Sequence, residues 1–320
     1  MNPKPKLKPQ ARSREVRKLT IAAAFLCRDG LVLCADTEET RGEMKFQAPK
    51  LVVCPEGEES SKRKAVFAGA GDSAFIDKLV DEMWSAGRFA LDGIESMFEA
   101  MEDACIRVHQ RYWGIYPPDA RPEAHIIFGI VEGGETRLYK ATGPIVNRVA
   151  KYELTGSGDS LARYIASRAE TGSSVKEAVG LSVYLLAETK KFVQGCGGAS
   201  HIVVLNSDGT HWKVEEDRIS STTVTIGAIQ NEMWSLLGSL TDHDLESDRF
   251  EAVLRGTAEF LRGVRRADER FFQTVRNVTA IATSALWNDS DGEEKLKELV
   301  DESSLVEGRV AQTHTPEQTD

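Results

Sequence analysis

The sequence is poor in cysteine and has no long apolar run. None of its apolar stretches approaches the roughly 20 residues that a membrane-spanning helix requires, so no membrane span is predicted. The five cysteines form no C-x-x-C pair or other metal-ligand spacing; they are Cys27, Cys34, Cys54, Cys105 and Cys196. An odd, scattered set in apolar surroundings indicates reduced core thiols in a cytoplasmic protein without a metal site.

Basic residues are also outnumbered. The 320 residues include 40 Lys and Arg against 50 Asp and Glu, which gives a formal net charge of −10. Because a nucleic-acid-binding protein usually carries a basic face, no nucleic-acid partner is predicted. The apolar share of 41% and the charged share of 28% are ordinary for a globular protein.

Both ends of the chain lack the apolar patterning of folded elements. Residues 1–18 are basic but contain no apolar stretch of the kind found in a secretory signal. We therefore interpret residues 1–19 as a removable leader or a disordered tail. Residues 311–320 are polar and are predicted to be a disordered tail.

The most informative stretch is residues 20–42, TIAAAFLCRDGLVLCADTEETRG. Two apolar runs flank Asp29 and Gly30, and an Asp-Gly pair between such runs predicts a tight β-hairpin. Since nearly every position of both arms is apolar, we expect both faces of the hairpin to be covered. Thr20, at the outer end of one arm, then faces Asp36 at the outer end of the other.

The following residues alternate strands with pairs of helices. After an irregular link at residues 43–49, periodicity and turn residues predict strands at 50–54 and 65–68, helices at 73–87 and 92–112, strands at 125–131, 136–142 and 146–154, helices at 159–169 and 174–192, and a hairpin at 201–215. This order predicts an α+β fold, a four-layer αββα sandwich of two stacked, mostly antiparallel sheets.

Beyond residue 219 the sequence becomes charged and helical. Helices are predicted within residues 231–240, 248–265 and 293–300. We predict a folded domain at residues 20–219 and a C-terminal helical extension at residues 220–310, packed on the core or at a subunit interface.

Four landmarks, in order, resemble proteasome β-type subunits. Residues 20–42 match without a gap the mature N-terminus of that family, which begins with threonine and continues through K/R-D-G and A-A-D to T-x-G. Lys50 with Leu51, then FAGAGD at residues 67–72 and TGSG at residues 155–158, resemble its later landmarks. The resemblance covers about residues 20–216 and implies the N-terminal nucleophile hydrolase fold in a divergent, bacterial-type proteasome-like protein.

The resemblance also implies a set of catalytic residues: Thr20, Asp36, Lys50, Gly69 and Ser157. The Thr20 hydroxyl would attack a carbonyl, with its own α-amine as the base. The Lys50 ammonium, held by Asp36, would lower the pKa of Thr20. The backbone N–H of Gly69 would stabilise the oxyanion, and Ser157 would hydrogen-bond the amine or a nearby water. Lys45 is an alternative to Lys50, because the spacing is two residues shorter than in the family.

The sequence departs from that family in two places. Leu19 replaces the glycine that precedes the nucleophile, and residues 191–198, KFVQGCGG, lack the aspartate of the family's Asp-x-x-Ser-Gly motif. Two hypotheses therefore stand. The first is a self-processing threonine peptidase or amidohydrolase in a homo-oligomeric ring, with peptide or protein substrates and an ATPase unfoldase as a candidate partner. The second is a non-catalytic ring subunit, like the family's α-type, that retains its leader. An amidase acting on a small amide is a third hypothesis.

Each of these residues also has a structural interpretation. Threonine is a common strand former, and a serine such as Ser157 often caps the helix that follows it. Residues 69–74, GAGDSA, also fit the G-x-G-x-x-A phosphate turn of nucleotide-binding folds. Since at least three strands precede this run and two helices follow it, no cofactor is predicted.

Overall fold

The structure, a computed structural model, describes residues 20–41, 44–56, 62–168 and 174–285. The leader, the helix at residues 293–300 and the C-terminal tail that the sequence predicts lie outside these residues. No helix in the described ranges is long and apolar enough to cross a membrane. The chain divides into two compact units between Val224 and Thr225.

The first sheet is built around the predicted hairpin, and all five of its strands run antiparallel to their neighbours. The register pairs Ala22 with Ala35 across the hairpin, and Ile21 with Gly156 on the other side. Numbered along the chain and listed in spatial order, the strands are β10 (Tyr152–Gly156), β1 (Ile21–Cys27), β2 (Gly30–Asp36), β11 (Ser200–Asn206) and β12 (His211–Lys213).

The second sheet also has five antiparallel strands: β5 (Leu51–Cys54), β6 (Arg63–Gly71), β7 (Ala124–Glu132), β8 (Glu135–Thr142) and β9 (Ile145–Val149). The single strand predicted at residues 146–154 is wrong, because β9 pairs in the second sheet and β10 in the first. Ala150 and Lys151 carry the chain between the two sheets. Residues 148–154, RVAKYEL, contain no Gly, Pro, Asn, Asp or Ser to indicate a turn, so the sequence pattern does not mark this crossing.

A short hairpin occupies part of the predicted irregular link. Strands β3 (Glu38–Arg41) and β4 (Met44–Gln47) pair with each other and form a separate two-stranded sheet. All four residues of β4 are exposed. The apolar alternation that marks a half-buried strand is therefore missing here, and the prediction failed for that reason.

Two helices cover each sheet, which gives the predicted αββα order of layers. Helices α1 (Ser73–Arg88) and α2 (Ile94–Trp113) contact the second sheet, and α3 (Asp159–Arg168) and α4 (Val175–Phe192) contact the first. A short 3-10 helix, Pro118–Ala120, follows α2. The predicted α+β sandwich is confirmed.

The sheets are held together by apolar side chains on their facing sides. Strand alternation sends one set of residues between the sheets: Ala22, Ala24, Leu31, Leu33, Val66, Ala68, Ile127, Leu138, Val203 and Leu205. A second cluster lies between the second sheet and the helices α1 and α2, where Phe67 and Phe128 stack with their ring centroids 5.6 Å apart. Both faces of the second sheet are therefore buried. In the first sheet, β1 and β2 are also buried along almost their whole length, as their continuous apolar runs predict.

Helix starts follow the capping residues in the sequence. The Asp72 carboxylate accepts a hydrogen bond from the Phe75 N–H (3.0 Å) at the start of α1. At the start of α4, Ser174 and Glu177 form a reciprocal capping box. Asp72 is thus the N-cap of α1, and Ser73 is the first residue of the helix.

The described residues of the C-terminal unit, 225–285, are mainly helical, as predicted. Helix α5 (Glu216–Thr241) continues into it, and α6 (Ser247–Ala285) follows. The Thr257 hydroxyl, which is buried, donates to Glu232 Oε1 (2.6 Å) and ties the two helices together. The predicted domain boundaries, residues 20–219 and 220–310, stay a prediction.

Candidate active site

Strand register brings the predicted site residues to one end of the two sheets. Asp36 is the last residue of β2, and Thr20 immediately precedes β1. The pairing of Ile21 with Gly156, extended by one residue, sets Ser157 across from Thr20. In the second sheet, the pairing of Leu51 with Ala68 extends in the same way to set Lys50 across from Gly69.

The Asp36 carboxylate is the centre of this group and is fully buried. Its Oδ1 accepts hydrogen bonds from the Thr20 hydroxyl (2.7 Å) and from the Ile21 N–H (3.2 Å). Its Oδ2 accepts from the Gly197 N–H (2.9 Å). These donors compensate a charge that would otherwise be costly to bury, and they fix the carboxylate in one orientation.

Lys50 supplies the positive charge beside Asp36. Its Nζ lies 2.6 Å from Asp36 Oδ1, and the ammonium also donates to the Thr20 hydroxyl oxygen and to the Glu38 carbonyl. With three acceptors for three N–H groups, the ammonium is held in place. Only 12% of the Lys50 side chain is exposed, so water screens the ion pair weakly.

The backbone of Thr20 is held from the opposite side by Ser157. The Thr20 N–H donates to Ser157 Oγ (3.1 Å), and the Ser157 hydroxyl donates to the Thr20 carbonyl (3.2 Å). The Gly158 N–H also donates to that carbonyl (3.3 Å). Gly156 has φ +104°, and a Cβ there would lie 2.2 Å from the Thr20 carbonyl oxygen, so glycine is required for this close approach.

Gly69 is buried in β6 and is set beside Lys50 by strand register. A Cβ at Gly69 would lie 2.9 Å from Cγ2 of Ile76 in α1. The contact that restricts this position to glycine is therefore the packing of α1 against the sheet. The role of its N–H as an oxyanion donor stays a prediction.

Lys45, the alternative site lysine, is directed elsewhere. Its Nζ pairs with Glu38 Oε1 at 2.9 Å, and 66% of its side chain is exposed. Both residues lie on the β3–β4 hairpin, so the ion pair supports that hairpin. Lys50 is the lysine that contacts Thr20.

Residues 193–199, the glycine loop after α4, complete the site and were missed by the sequence analysis. The loop supplies the Gly197 N–H to Asp36, and Cys196 Sγ lies 3.6 Å from Ser157 Oγ. Burial raises the pKa of the Cys196 thiol, which therefore stays neutral near pH 7. The signal in the sequence was the glycine density of VQGCGG, since glycine-rich turns present backbone N–H groups.

The arrangement is suited to nucleophilic chemistry at a hydroxyl. Thr20 is only about 5% exposed, and its hydroxyl oxygen contacts an ammonium while its proton is directed at a carboxylate. A cation beside the oxygen favours the alkoxide-like form that attacks a carbonyl. Among the described residues, no group of three or more His, Cys, Asp or Glu side chains is placed to hold a metal ion.

Comparison with known proteins supports the fold. No protein-family model and no curated protein matches the chain. The chain is similar to solved structures of Anbu, described as an ancestral beta-subunit. The protein from Yersinia bercovieri is 15% identical, with a TM-score of 0.56, and the match covers 68% of this chain and 97% of that one.

Two further Anbu structures give the same result. A Gly-1 mutant from Hyphomicrobium sp. strain MC1 is 18% identical, and a helical assembly of the complex from Pseudomonas aeruginosa is 16% identical. Each has a TM-score of 0.56 and covers 68% of this chain and 96% of its own. The chain therefore shares the N-terminal nucleophile fold of proteasome-like proteins.

The predicted membership of the proteasome β-type subunits is wrong. The similar structures are Anbu proteins, a distinct proteasome-like family, and no family model supports the β-type assignment. The assignment failed because the matching landmarks are residues that particular backbone conformations require. The Asp-Gly turn, the glycine turn into α1 and Gly156 satisfy conformations that the fold itself requires, so they identify a fold and not a family.

Proposed function

We propose that this protein is a threonine hydrolase that cuts peptide or amide bonds, with Thr20 as an N-terminal nucleophile. The observation that carries the proposal is the convergence of Asp36 and Lys50 on the buried Thr20 hydroxyl. A strand-forming threonine needs neither contact. Burying an ion pair of this kind is costly, and a role in activating the hydroxyl accounts for it.

The nucleophile becomes N-terminal when the bond between Leu19 and Thr20 is cut. In this step the Thr20 oxygen bonds to the Leu19 carbonyl carbon, the carbon–nitrogen bond breaks, and the hydroxyl proton passes to the Thr20 nitrogen. Water then cleaves the resulting ester, which leaves a carboxylate on Leu19 and restores the Thr20 hydroxyl. The hydrogen bonds of Ser157 to the nitrogen and carbonyl of Thr20 support this step, because they hold the residue still while its bonds exchange.

The freed α-amine then acts as the base for substrate. An unperturbed α-amine has a pKa of about 7.7–8.0, which suits proton exchange near neutral pH. It takes the proton of the Thr20 hydroxyl as that oxygen attacks the substrate carbonyl, and returns a proton to the departing amine. Water, deprotonated by the same amine, then cleaves the acyl ester on Thr20, which releases the acid and restores the hydroxyl. The Gly69 N–H is the proposed donor to the oxyanion.

A non-catalytic role is the second candidate, and one observation favours it. The Thr20 nitrogen contacts the neutral Ser157, and the glycine loop beside it provides a thiol and backbone groups but no carboxylate. A chain that retains residues 1–19 would keep this nitrogen as an amide. It would then serve as a structural subunit.

We also propose that the protein works as a homo-oligomer on peptide or protein substrates. The supporting observation is that a similar protein, Anbu from Pseudomonas aeruginosa, was solved as a helical assembly. An ATPase unfoldase stays a candidate partner. Light scattering coupled to size-exclusion chromatography tests the self-assembly, and a monomer at micromolar concentration would contradict it.

The experiment is hydrolysis of fluorogenic peptide amides and of small amides by three forms of the protein. Wild type is expected to release product, and Thr20→Ala to reduce the rate to background. Thr155→Ala is the matched control, because Thr155 is as buried as Thr20 but lies on β10. If Thr20→Ala retains the wild-type rate, the proposed nucleophile is wrong.

A further inference from the structure

Lys190, in the last turn of α4, holds the glycine loop through its side chain. Its Nζ donates to the Gly198 carbonyl (2.9 Å), which lies beyond the end of the helix. The neighbouring Lys191 lies over the Phe192 ring, 5.1 Å from the centroid, and is exposed. The two adjacent lysines therefore differ in that Lys190 is fastened to the loop.

The loop is anchored on its other side by the strand that follows Asp36. The Glu38 N–H donates to the Gly197 carbonyl and the Thr37 N–H to the Ala199 carbonyl, each at 3.1 Å. Gly198 has φ +70°, and a Cβ there would lie 2.5 Å from Thr37 Oγ1. The loop thus fits tightly between the helix end and this strand, and Lys190 supplies the fastening on the helix side.

The loop carries the N–H group that binds the second oxygen of Asp36. Gly197 precedes Gly198 directly, so displacement of the Gly198 carbonyl also moves the Gly197 N–H. Asp36 Oδ1 faces Thr20 and Lys50, whereas its Oδ2 faces Gly197. Loss of the Gly197 contact would free the carboxylate to rotate away from the hydroxyl.

The charges around Lys190 agree with this arrangement. Burial lowers the pKa of the Lys190 ammonium, while the negative charges of Asp36 and Glu216 oppose that shift. Asp36 is therefore within electrostatic range of two ammonium groups. Lys50 touches it directly, and Lys190 acts on it across the loop.

We infer that Lys190 is a positioning residue for the hydrolase, which holds the Gly197 N–H on Asp36 and thereby fixes the carboxylate beside the Thr20 hydroxyl. The inference rests on the proposed function. This sequence lacks the carboxylate of the Asp-x-x-Ser-Gly motif that proteasome β-type subunits have near the site. In the inference, a lysine and a backbone loop support the site instead. A simple helix-end lysine would interact with the last carbonyls of its own helix and would leave the loop unaffected.

The test compares Lys190→Met with Lys190→Arg and with Lys191→Met as the matched control. In the hydrolysis assay, Lys190→Met is expected to lower kcat about 10- to 100-fold with KM within about twofold, since only the reacting group is misplaced. Lys190→Arg keeps a donor to the Gly198 carbonyl and is expected to recover most of the lost kcat. Lys191→Met should match wild type in both constants.

A second measurement does not depend on hydrolysis. Cys196, on the same loop, is buried, so its rate of alkylation by iodoacetamide reports opening of the loop. Mass mapping of the Cys196 peptide is expected to show labelling about tenfold faster in Lys190→Met, and unchanged in Lys191→Met. If the wild-type chain shows no Thr20-dependent hydrolysis, the proposed function fails, and the labelling rates alone decide whether Lys190 holds the loop.

Two results would overturn the inference while the proposed function stands. One is an active wild type in which Lys190→Met and Lys191→Met have the same kcat. The other is faster labelling of Cys196 in Lys190→Met without a fall in kcat, which would make Lys190 a purely structural fastening.

Discussion

The two sides of Thr20 differ in their chemistry. Its hydroxyl meets a buried carboxylate and an ammonium, Asp36 and Lys50, whereas its nitrogen meets the neutral hydroxyl of Ser157, with the neutral thiol of Cys196 beyond it. Charge is thus concentrated on the group that would attack. The nitrogen is only positioned by neutral groups, so in the proposed function it becomes a base only after the chain is cut.

The largest effect should come from removing the charge on the hydroxyl side. Asp36→Asn leaves the Lys50 ammonium, 12% exposed, without its ionic partner. We expect the free energy of unfolding to fall by about 3–5 kcal/mol, as when one member of a buried pair is lost. We also expect hydrolysis to fall to background. Urea unfolding followed by tryptophan fluorescence measures the first quantity.

Asp72→Asn is the control for this substitution. Asp72 is exposed and caps α1, and since asparagine caps a helix about as well as aspartate, the expected loss is under about 0.5 kcal/mol. Equal losses of unfolding free energy in Asp36→Asn and Asp72→Asn would show that the buried ion pair does not stabilise the protein more than an exposed helix cap does.

The next effect concerns the loop that binds the far oxygen of Asp36. In Gly198→Ala, at a position with φ +70°, the new Cβ would lie 2.5 Å from Thr37 Oγ1 and 3.2 Å from the Glu38 backbone nitrogen, so the loop must change conformation and draw the neighbouring Gly197 N–H off the carboxylate. We expect kcat to fall about 10- to 100-fold. Stability should fall by about 1–3 kcal/mol, as for other overpacked sites.

A glycine in open space gives the comparison for Gly198. Gly180 lies within α4, and a Cβ there would meet nothing within 4 Å. Gly180→Ala should stabilise the protein by up to about 1 kcal/mol through helix propensity and leave kcat unchanged. A similar fall in kcat for both alanine variants would contradict the claim that the glycine loop positions Asp36.

A smaller effect is expected on the nitrogen side of Thr20. Ser157→Ala removes the acceptor of the Thr20 N–H and the donor to its carbonyl, with an expected loss of about 1 kcal/mol in unfolding free energy. The rate of hydrolysis should fall about tenfold, because positioning is impaired while the charges stay. Ser182→Ala, a buried serine whose hydroxyl donates to the Ala178 carbonyl in α4, should retain the full rate. A greater loss of hydrolysis in Ser157→Ala than in Asp36→Asn would show that the nitrogen side of Thr20 matters more for the reaction than the hydroxyl side.

The smallest effect tests the neutrality of the nitrogen side. Burial raises the pKa of Cys196 above its ordinary value of 9.0, so below pH 9 less thiolate is present than in the unfolded chain. Labelling of Cys196 by iodoacetamide at pH 8 should therefore be at least about tenfold slower in native than in urea-unfolded protein. The native labelling rate should keep rising with pH beyond the range in which the rate of the unfolded thiol reaches its plateau. Equal labelling rates of Cys196 in native and unfolded protein would contradict the view that the nitrogen side of Thr20 is neutral.

Much of this molecule follows from local sequence signals. The Asp-Gly turn, the caps Asp72 and Ser174, and the apolar periodicity predict the hairpin, the helices and the αββα order of layers. Thr20, Asp36, Lys50 and Ser157 were placed by resemblance, and the structure brings these four together. Their catalytic roles stay predictions.

What the sequence did not predict depends on long-range geometry. The crossing at Ala150 between the two sheets has no local marker, because residues 148–154 contain none of the usual turn residues. The support of Asp36 by Gly197, and of the glycine loop by Lys190, comes from a backbone group and a helix end that are more than 150 residues from Asp36 in the chain. The family assignment failed because turn glycines specify a fold that more than one family shares.

The central claim is that Thr20 becomes the N-terminal residue of the active protein. Intact-mass spectrometry of the purified, hydrolytically active protein tests it most directly, with Thr20→Ala as the control that cannot cut itself. We predict a chain that begins at Thr20 in the wild type and an uncut chain in the variant. Active protein whose chains all retain residues 1–19 would contradict the claim.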